Sequence, residues 1–467
     1  MFRIVLPLIF FLFSHQLKAQ AFKNTTTIAE QVEDFKIFKT TLLECHSGIY
    51  DYNDSLKLHS SLKSLESKLN VDNLTKLEQL ALYSKFTSTL GCIHTTVEHK
   101  KLKAEIIKAN FKFPFEVYFI NNELRSSENY NSSDFIISEN DKIISINEEL
   151  IDNLKDSLYQ FISSDGNNTS FKDEVLKQGF LYYYFIYKGE VSDFNLKYIH
   201  GGQSLSGSIK PVHNKRKNKS RNIKIVFSFT KSIIDIEKNF ALLTLPSPLK
   251  ISGGYKRELK RFIKKINKLN ISNLIIDLRE NGGGKTQKYL AGFFIDSTIV
   301  YDQHHYKSIK HATFKKNFIK KRKLEYQVSK IFGEYSPPIT GFQYYVEPQK
   351  QYKGQLYLLI NGKTVSASAN LASILKNWTN VIIVGQESGG SYKSFNIGGG
   401  LLQLPNSKIK IAIRSIKGLN NVPKNQGEGG VIPDFYINRP NELNAENDNQ
   451  LSFIIEEISH SNNKHIE

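Results

Sequence analysis

Cysteine is scarce: Cys45 and Cys92 are the only two in 467 residues. Two thiols are too few for a four-ligand structural zinc site without several histidines in support, so no metal is expected. The even count permits one disulfide in an exported chain, but spacing alone leaves the pairing of Cys45 with Cys92 open. Long apolar runs are also lacking beyond the first residues, and no transmembrane segment is expected. Internal repeats and long low-complexity segments are absent, while a hydrophobic content of 40% excludes a disordered chain. Acidic residues are in deficit, with 45 Asp and Glu against 63 Lys and Arg, a formal charge of +18. The cations are spread along the chain. One dense cluster, Lys215, Arg216, Lys217, Lys219 and Arg221, is interleaved with Asn and Ser and reads as a solvated loop, so nucleic acid is not an expected partner.

What is present begins with Met1-Phe2-Arg3 and an apolar run from Ile4 to Phe13, followed by Ala19-Gln20-Ala21. That is the pattern of a signal peptide cleaved near Ala21, and it predicts a periplasmic or extracellular protein. The length suggests about three domains. From Thr26 to Lys100 apolar residues recur at three and four positions (Val32, Phe35, Phe38, Leu42; Leu58, Leu62, Leu65, Leu69; Leu77, Leu80), which predicts amphipathic helices. Residues 111–120 and 135–146 read as strands around a Ser138-Glu139-Asn140-Asp141 turn, and 150–163 as a helix. Strands at 223–229, 240–245 and 274–278 with a helix at 255–269 between the last two, then 355–360, 368–377 and 381–384 as strand, helix, strand, predict an α/β core. The expected division is 1–21 signal peptide, 22–105 helical domain, 106–200 strand-rich module, 201–222 basic linker, 223–440 core and 441–467 tail.

Two glycine-bearing turns of the core could carry chemistry. The buried strand Leu274 to Leu278 runs into Arg279-Glu280-Asn281 and then Gly282-Gly283-Gly284, whose backbone N–H groups could face an anion or a developing oxyanion. The strand Leu358-Leu359-Ile360 runs through Asn361-Gly362 to Ser366-Ala367-Ser368, which opens a helix. A serine there lies among free N–H groups at the positive end of the helix dipole. Read singly, the first turn also fits phosphate binding or chain reversal, and the second an ordinary helix cap.

Taken together with Val384-Gly385-Gln386-Glu387-Ser388-Gly389-Gly390 and Gly430-Val431-Ile432-Pro433-Asp434, these motifs resemble the tail-specific, or C-terminal-processing, serine proteases. The order of the four motifs over Leu274 to Asp434 carries the resemblance, and Ile143-Ile144-Ser145-Ile146-Asn147 looks like that family's PDZ-like module. The resemblance implies an α/β crotonase-like core, a polypeptide substrate, peptide-bond hydrolysis and no metal or organic cofactor. It implies Ser366 as nucleophile, with the N–H groups of Gly283 and Ala367 as oxyanion donors. Oligomeric state is not read from the sequence.

The general base has two candidates. One branch of the family uses a lysine at the position that falls on Ser391 here, with Lys393 close by. The branch resembling the tricorn protease core uses a histidine in a Gly-x-x-His-Thr setting, and Gly91-Cys92-Ile93-His94-Thr95 fits it. His94 is favoured, because an imidazole titrates near working pH and Lys393 follows a flexible glycine turn. Glu428 is the expected third member of the triad, one position off the tricorn-like pattern, with Glu387 as substitute. His46, in Cys45-His46-Ser47-Gly48, is expected beside the cleft in a structural or substrate-contact role. The competing function is a catalytically inactive peptide- or lipid-binding protein on the same fold, to which Asn370, in place of the family's usual glutamate, lends weight.

Overall fold

A computed structural model describes residues 24–99, 113, 115–120, 123–132, 135–211, 231–245, 253–284, 287–307, 309, 312–321, 339–422, 427–438 and 448–463. The expected signal peptide, the Lys215 to Arg221 cluster and the strand expected at 223–229 lie outside these residues.

The chain opens with three helices, α1 (Ile28–Cys45), α2 (Ser55–Leu69) and α3 (Lys76–Ser88). Local chemistry starts each one. Thr27 with Glu30, and Thr75 with Glu78, form reciprocal capping boxes, and Asp54 accepts the Lys57 N–H. The heptad-like leucines of α2 (Leu58, Leu62, Leu65, Leu69) are all buried, as are Phe35, Phe38 and Leu42 of α1, whereas Val32 is exposed.

Next comes a sheet of β1 (Val117–Ile120), β2 (Glu123–Ser126), β3 (Lys142–Ile146), β4 (Phe194–His200) and β5 (Gln203–Ile209), neighbours in that order and antiparallel throughout. Between β3 and β4 stand α4 (Ile151–Tyr159) and α5 (Thr169–Lys188). No sequence expectation covered α5. Its Leu181-Tyr182-Tyr183-Tyr184-Phe185-Ile186-Tyr187 run is aromatic and β-branched, a strand-like composition. The helix forms because Asn168 caps it and Leu176, Phe180 and Tyr184 bury one face at four-residue spacing.

The core sheet contains β6 (Lys231–Asp235), β7 (Phe240–Thr244), β8 (Asn273–Asp277), β9 (Gln355–Ile360), β10 (Ile382–Gly385) and β11 (Phe435–Tyr436), in the spatial order β11-β10-β9-β8-β7-β6. All pairs are parallel except the β6 edge. Both faces are covered, which explains why β8 and β9 read as continuous apolar runs. On one face Leu274, Ile276, Leu358 and Ile360 pack against α6 (Gly253–Lys268) and α7 (Ala367–Trp378). On the other, Ile275, Tyr357 and Leu359 meet Ile454 and Ile458 of α8 (Asn449–Asn463). Arg279, buried just beyond β8, fastens α8 through paired bonds to Asp277 and Asp448.

Smaller antiparallel sheets built from 299–306, 339–346, 394–397 and 416–420, and from 318–321, 400–403 and 410–413, link this core to the N-terminal half. Val97 pairs with Ile411 across that junction, and Glu98 N–H donates to the Lys410 carbonyl at 2.7 Å. Helices α1 to α3, the middle sheet and strand 410–413 consequently share one apolar cluster.

Candidate active site

Three loops leave the carboxyl ends of β8, β9 and β10 and interlock, as ligand-binding loops do in open parallel sheets. Val365 N–H donates to the Asn281 carbonyl at 3.3 Å, the Thr364 hydroxyl to the Leu278 carbonyl at 2.9 Å, and Gly390 N–H to the Thr364 carbonyl at 3.1 Å. Ser366 stands at the crossing. Its backbone lies at φ 56° and ψ −130°, left-handed space that a non-glycine residue enters at a cost and that recurs at functional sites. It precedes the first residue of α7, yet its side chain makes no capping bond.

Glycines make room on both sides. A methyl group on Gly283 (φ +99°) would stand 2.9 Å from Ser366 Cβ and 3.1 Å from the Ala367 nitrogen, and one on Gly390 would stand 2.8 Å from the Ser366 nitrogen. Ala367 N–H, at the first position of α7, donates to no described residue and remains available to an oxyanion. Gly283 N–H is already engaged, donating to Asn281 Oδ1 at 2.9 Å. That same oxygen accepts the Ser368 hydroxyl at 2.6 Å, and Asn281 Nδ2 donates to the Leu245 carbonyl at 3.0 Å. Asn281, fully buried, thus orders the glycine turn.

The segment Gly91 to Thr95 reaches the same end of the sheet. Ile93 N–H donates to Asp165 Oδ1 at 2.9 Å, and the other oxygen of that carboxylate accepts Ser391 N–H at 3.1 Å, one residue beyond Gly390. Arg414 Nε donates to the His94 carbonyl at 2.7 Å. The His94 ring is half-buried, with Nδ1 enclosed. His46 is fully buried, and its Nε2 lies 2.9 Å from the Thr95 hydroxyl. Burial, together with the charges of Lys307 and Arg414, drives the His46 imidazole down to about 3, so it is neutral and braces Thr95.

The remaining candidates separate. Ser391 is buried and accepts the Tyr52 hydroxyl at 3.1 Å, while Lys393 is exposed, outside the desolvated setting a lysine base requires. Glu428 is exposed, and its carboxylate makes no bond among the described residues, although Tyr392 N–H donates to the neighbouring Gly429 carbonyl at 2.8 Å. Glu387 is half-buried and accepts Gly430 N–H at 2.7 Å and Asn168 Nδ2 at 3.0 Å. Burial raises its carboxyl above the ordinary range against those two bonds. Cys45 and Cys92 are both buried, and no disulfide joins them. Burial and the charge of Asp165 push the Cys92 thiol up to about 11, so it is an inert, protonated group. Among the described residues no group of three or more His, Cys, Asp or Glu could hold a metal ion. No sequence signal marked Asp165, Tyr52 or Arg414, since each acts on a segment remote in the chain.

Residues 239–437 match the family described as Peptidase family S41. The chain carries an S41 peptidase domain. The tail-specific protease of Haemophilus influenzae is 28% identical over 156 residues, which are 33% of this chain and 18% of that protein, so the match spans less than a fifth of the curated relative. The crystal structure of mature CPAF superposes with a TM-score of 0.58 at 15% identity, covering 88% of this chain and 92% of that one. Mature CPAF complexed with lactacystin gives 0.57 at 16%, covering 88% and 94%. Those two likenesses show that the fold extends beyond the S41 domain into the N-terminal half. No described helix is long and apolar enough to cross a membrane.

Proposed function

We propose that this chain is an exported serine endopeptidase that cleaves polypeptides through an acyl-enzyme on Ser366. The observation that carries the reading is Ser366 itself: a left-handed backbone at the head of α7, flanked by Gly283 and Gly390, with an unspent N–H on Ala367. His94 takes the Ser366 proton as Oγ attacks the scissile carbonyl, then returns it to the departing amine; water repeats the sequence to release the acid. Ala367 N–H receives the oxyanion. Gly283 N–H joins it by sharing or exchanging its bond to Asn281 Oδ1. Glu428, with Glu387 as substitute, is the carboxylate assigned to fix the His94 tautomer. No metal or organic cofactor enters the scheme.

In this reading the 223–440 region is a crotonase-like core, 106–200 a PDZ-like module completed by β5 (Gln203–Ile209), which occupies the start of the linker expected at 201–222, 22–105 the helical domain carrying the base, and 1–21 a cleaved signal. Labelling by a serine-directed fluorophosphonate tests it. The adduct should map to Ser366 and vanish in Ser366→Ala; a folded protein that takes no label at Ser366 and cleaves no polypeptide would sink the proposal in favour of a binding role.

A further inference from the structure

Asp165 is a carboxylate with 3% of its surface exposed and no cationic partner among the described residues. Burial, reinforced by the charge of Asp51, raises it to about 6. Keeping such a group costs stability unless it answers a local need. Here the need is two backbone N–H groups from distant parts of the chain, Ile93 at 2.9 Å and Ser391 at 3.1 Å, one on each oxygen. A neutral amide has one acceptor oxygen and would turn its NH2 toward the second N–H.

The surroundings are built to the same end. Gly166 N–H donates to the Gly91 carbonyl at 3.0 Å. The Tyr52 ring lies against both glycines: a methyl group would meet it at 2.7 Å from Gly91 and 2.9 Å from Gly166, and both residues have positive φ. Beyond the ring, the Tyr52 hydroxyl bonds Ser391 Oγ. Four segments are therefore locked at one point, one bearing His94 and one abutting Ser366.

We propose that Asp165, backed by Tyr52, is a positioning residue that clamps the His94 segment to the Ser391 turn and so sets the approach of His94 to Ser366. This rests on the Ser–His reading above. A displacement of about 1 Å at a reacting group can cost on the order of 10²-fold in rate, so a clamp that holds the residue before His94 and the residue after Gly390, which abuts Ser366, has leverage. Below pH 6 the carboxyl gains a proton, one oxygen becomes a donor, and one of the two N–H bonds is lost. The titratable and charged groups facing it are Asp51, itself paired with Lys417, together with Tyr52 and Cys92. The acid limb of kcat/KM should then report two protons, one on His94 and one on Asp165.

The experiment measures turnover of dye-quenched casein against pH for the full chain, Asp165→Asn, Tyr52→Phe, Ser366→Ala and His94→Ala, with folding monitored by circular dichroism. Asp165→Asn should leave KM unchanged, lower kcat by about 10²-fold and reduce the limiting slope of the acid limb from near two to near one. Tyr52→Phe, which removes a single hydroxyl bond, should lower kcat by about fivefold. Wild-type kcat in Asp165→Asn with the steep limb retained overturns the clamp. Where Asp165→Asn does not fold, Tyr52→Phe decides, and wild-type kcat there overturns it as well. If Ser366→Ala and His94→Ala stay active, the Ser–His reading has failed; if both are dead while the other two variants are normal, only the clamp has.

Discussion

The nucleophile and the base are held by different kinds of force. Ser366 follows β9 by six residues, and its position is fixed by backbone: parallel strand pairing, interlocked turns, and glycines that let chains approach within contact distance. His94 belongs to no regular element, and its segment is held by side chains reaching from elsewhere: Asp165 on Ile93, Arg414 on the His94 carbonyl, His46 on Thr95. Backbone placement survives most substitutions because every residue supplies the same N–H and C=O groups. Placement by side chains has named points of failure.

Ser366→Ala sets the scale of that comparison. It should lose about 10⁶-fold in kcat with an unchanged melting temperature, and His94→Ala nearly as much, since members of a triad act as a unit. Lys393→Ala, on an exposed side chain, should stay within about twofold of wild type. A dead Lys393→Ala beside an active His94→Ala would reassign the base while leaving Ser366 in place.

Gly283→Ala probes the backbone-held half. Its methyl group would stand 2.9 Å from Ser366 Cβ and 3.0 Å from the Val365 carbonyl oxygen at φ +99°, so kcat should fall by about 10²- to 10³-fold, the cost of a lost oxyanion donor. Normal turnover in this variant would remove Gly283 from the oxyanion site and leave Ala367 alone there.

Arg414→Lys probes the half held by side chains. Arg414 is buried and donates to the His94 carbonyl through Nε and to the Gly398 carbonyl through Nη1 at 3.2 Å, a fork that an ammonium group cannot reproduce. A fall in kcat of about tenfold with little change in KM is expected, read from steady-state kinetics. An unchanged kcat would mean that the base segment is more rigid than its contacts imply.

The smallest effect on turnover concerns acid. His99, four residues beyond Thr95, has both ring nitrogens buried without a described partner, and burial lowers its imidazole to about 4. His46 is lowered further, to about 3. A depressed histidine favours the neutral fold, so stability is lost as pH falls from about 6.5 toward 4; Asp165, being raised, works in the opposite sense as pH falls through about 6. His99→Phe keeps the edge-to-face contact with Tyr182 and removes the titration. Melting temperatures measured between pH 4 and 7 should show a shallower acid decline in this variant than in wild type; identical curves would place the sensitivity at His46.

Much of the core could be read from pattern alone. The strand expected at 355–360 is found at those residues, and the helices expected at 255–269 and 368–377 are found at Gly253–Lys268 and Ala367–Trp378. The reason is physical: strands buried on both faces must be continuously apolar, and amphipathic helices must repeat near 3.6 residues. Helix α5 escaped because its tyrosines and phenylalanines favour strands by propensity while tertiary burial favours the helix. The inserted strands at 299–306 and 416–420 escaped for a related cause, since residues such as Asp302, Gln303 and Lys417 carry no alternation that marks a buried face.

By itself the sequence determined the parallel core, the glycine turns after β8 and β9, and Ser366 at the head of α7, because strand burial, turn chemistry and helix starts are local and leave periodic traces. Only the tertiary structure decided which groups meet the base segment. Asp165 lies 72 residues from Ile93 and 226 from Ser391, and Arg414 lies 320 from His94. Contacts at that separation are fixed by how whole layers pack, and a lone Asp before a glycine in a loop leaves no pattern from which they could be read.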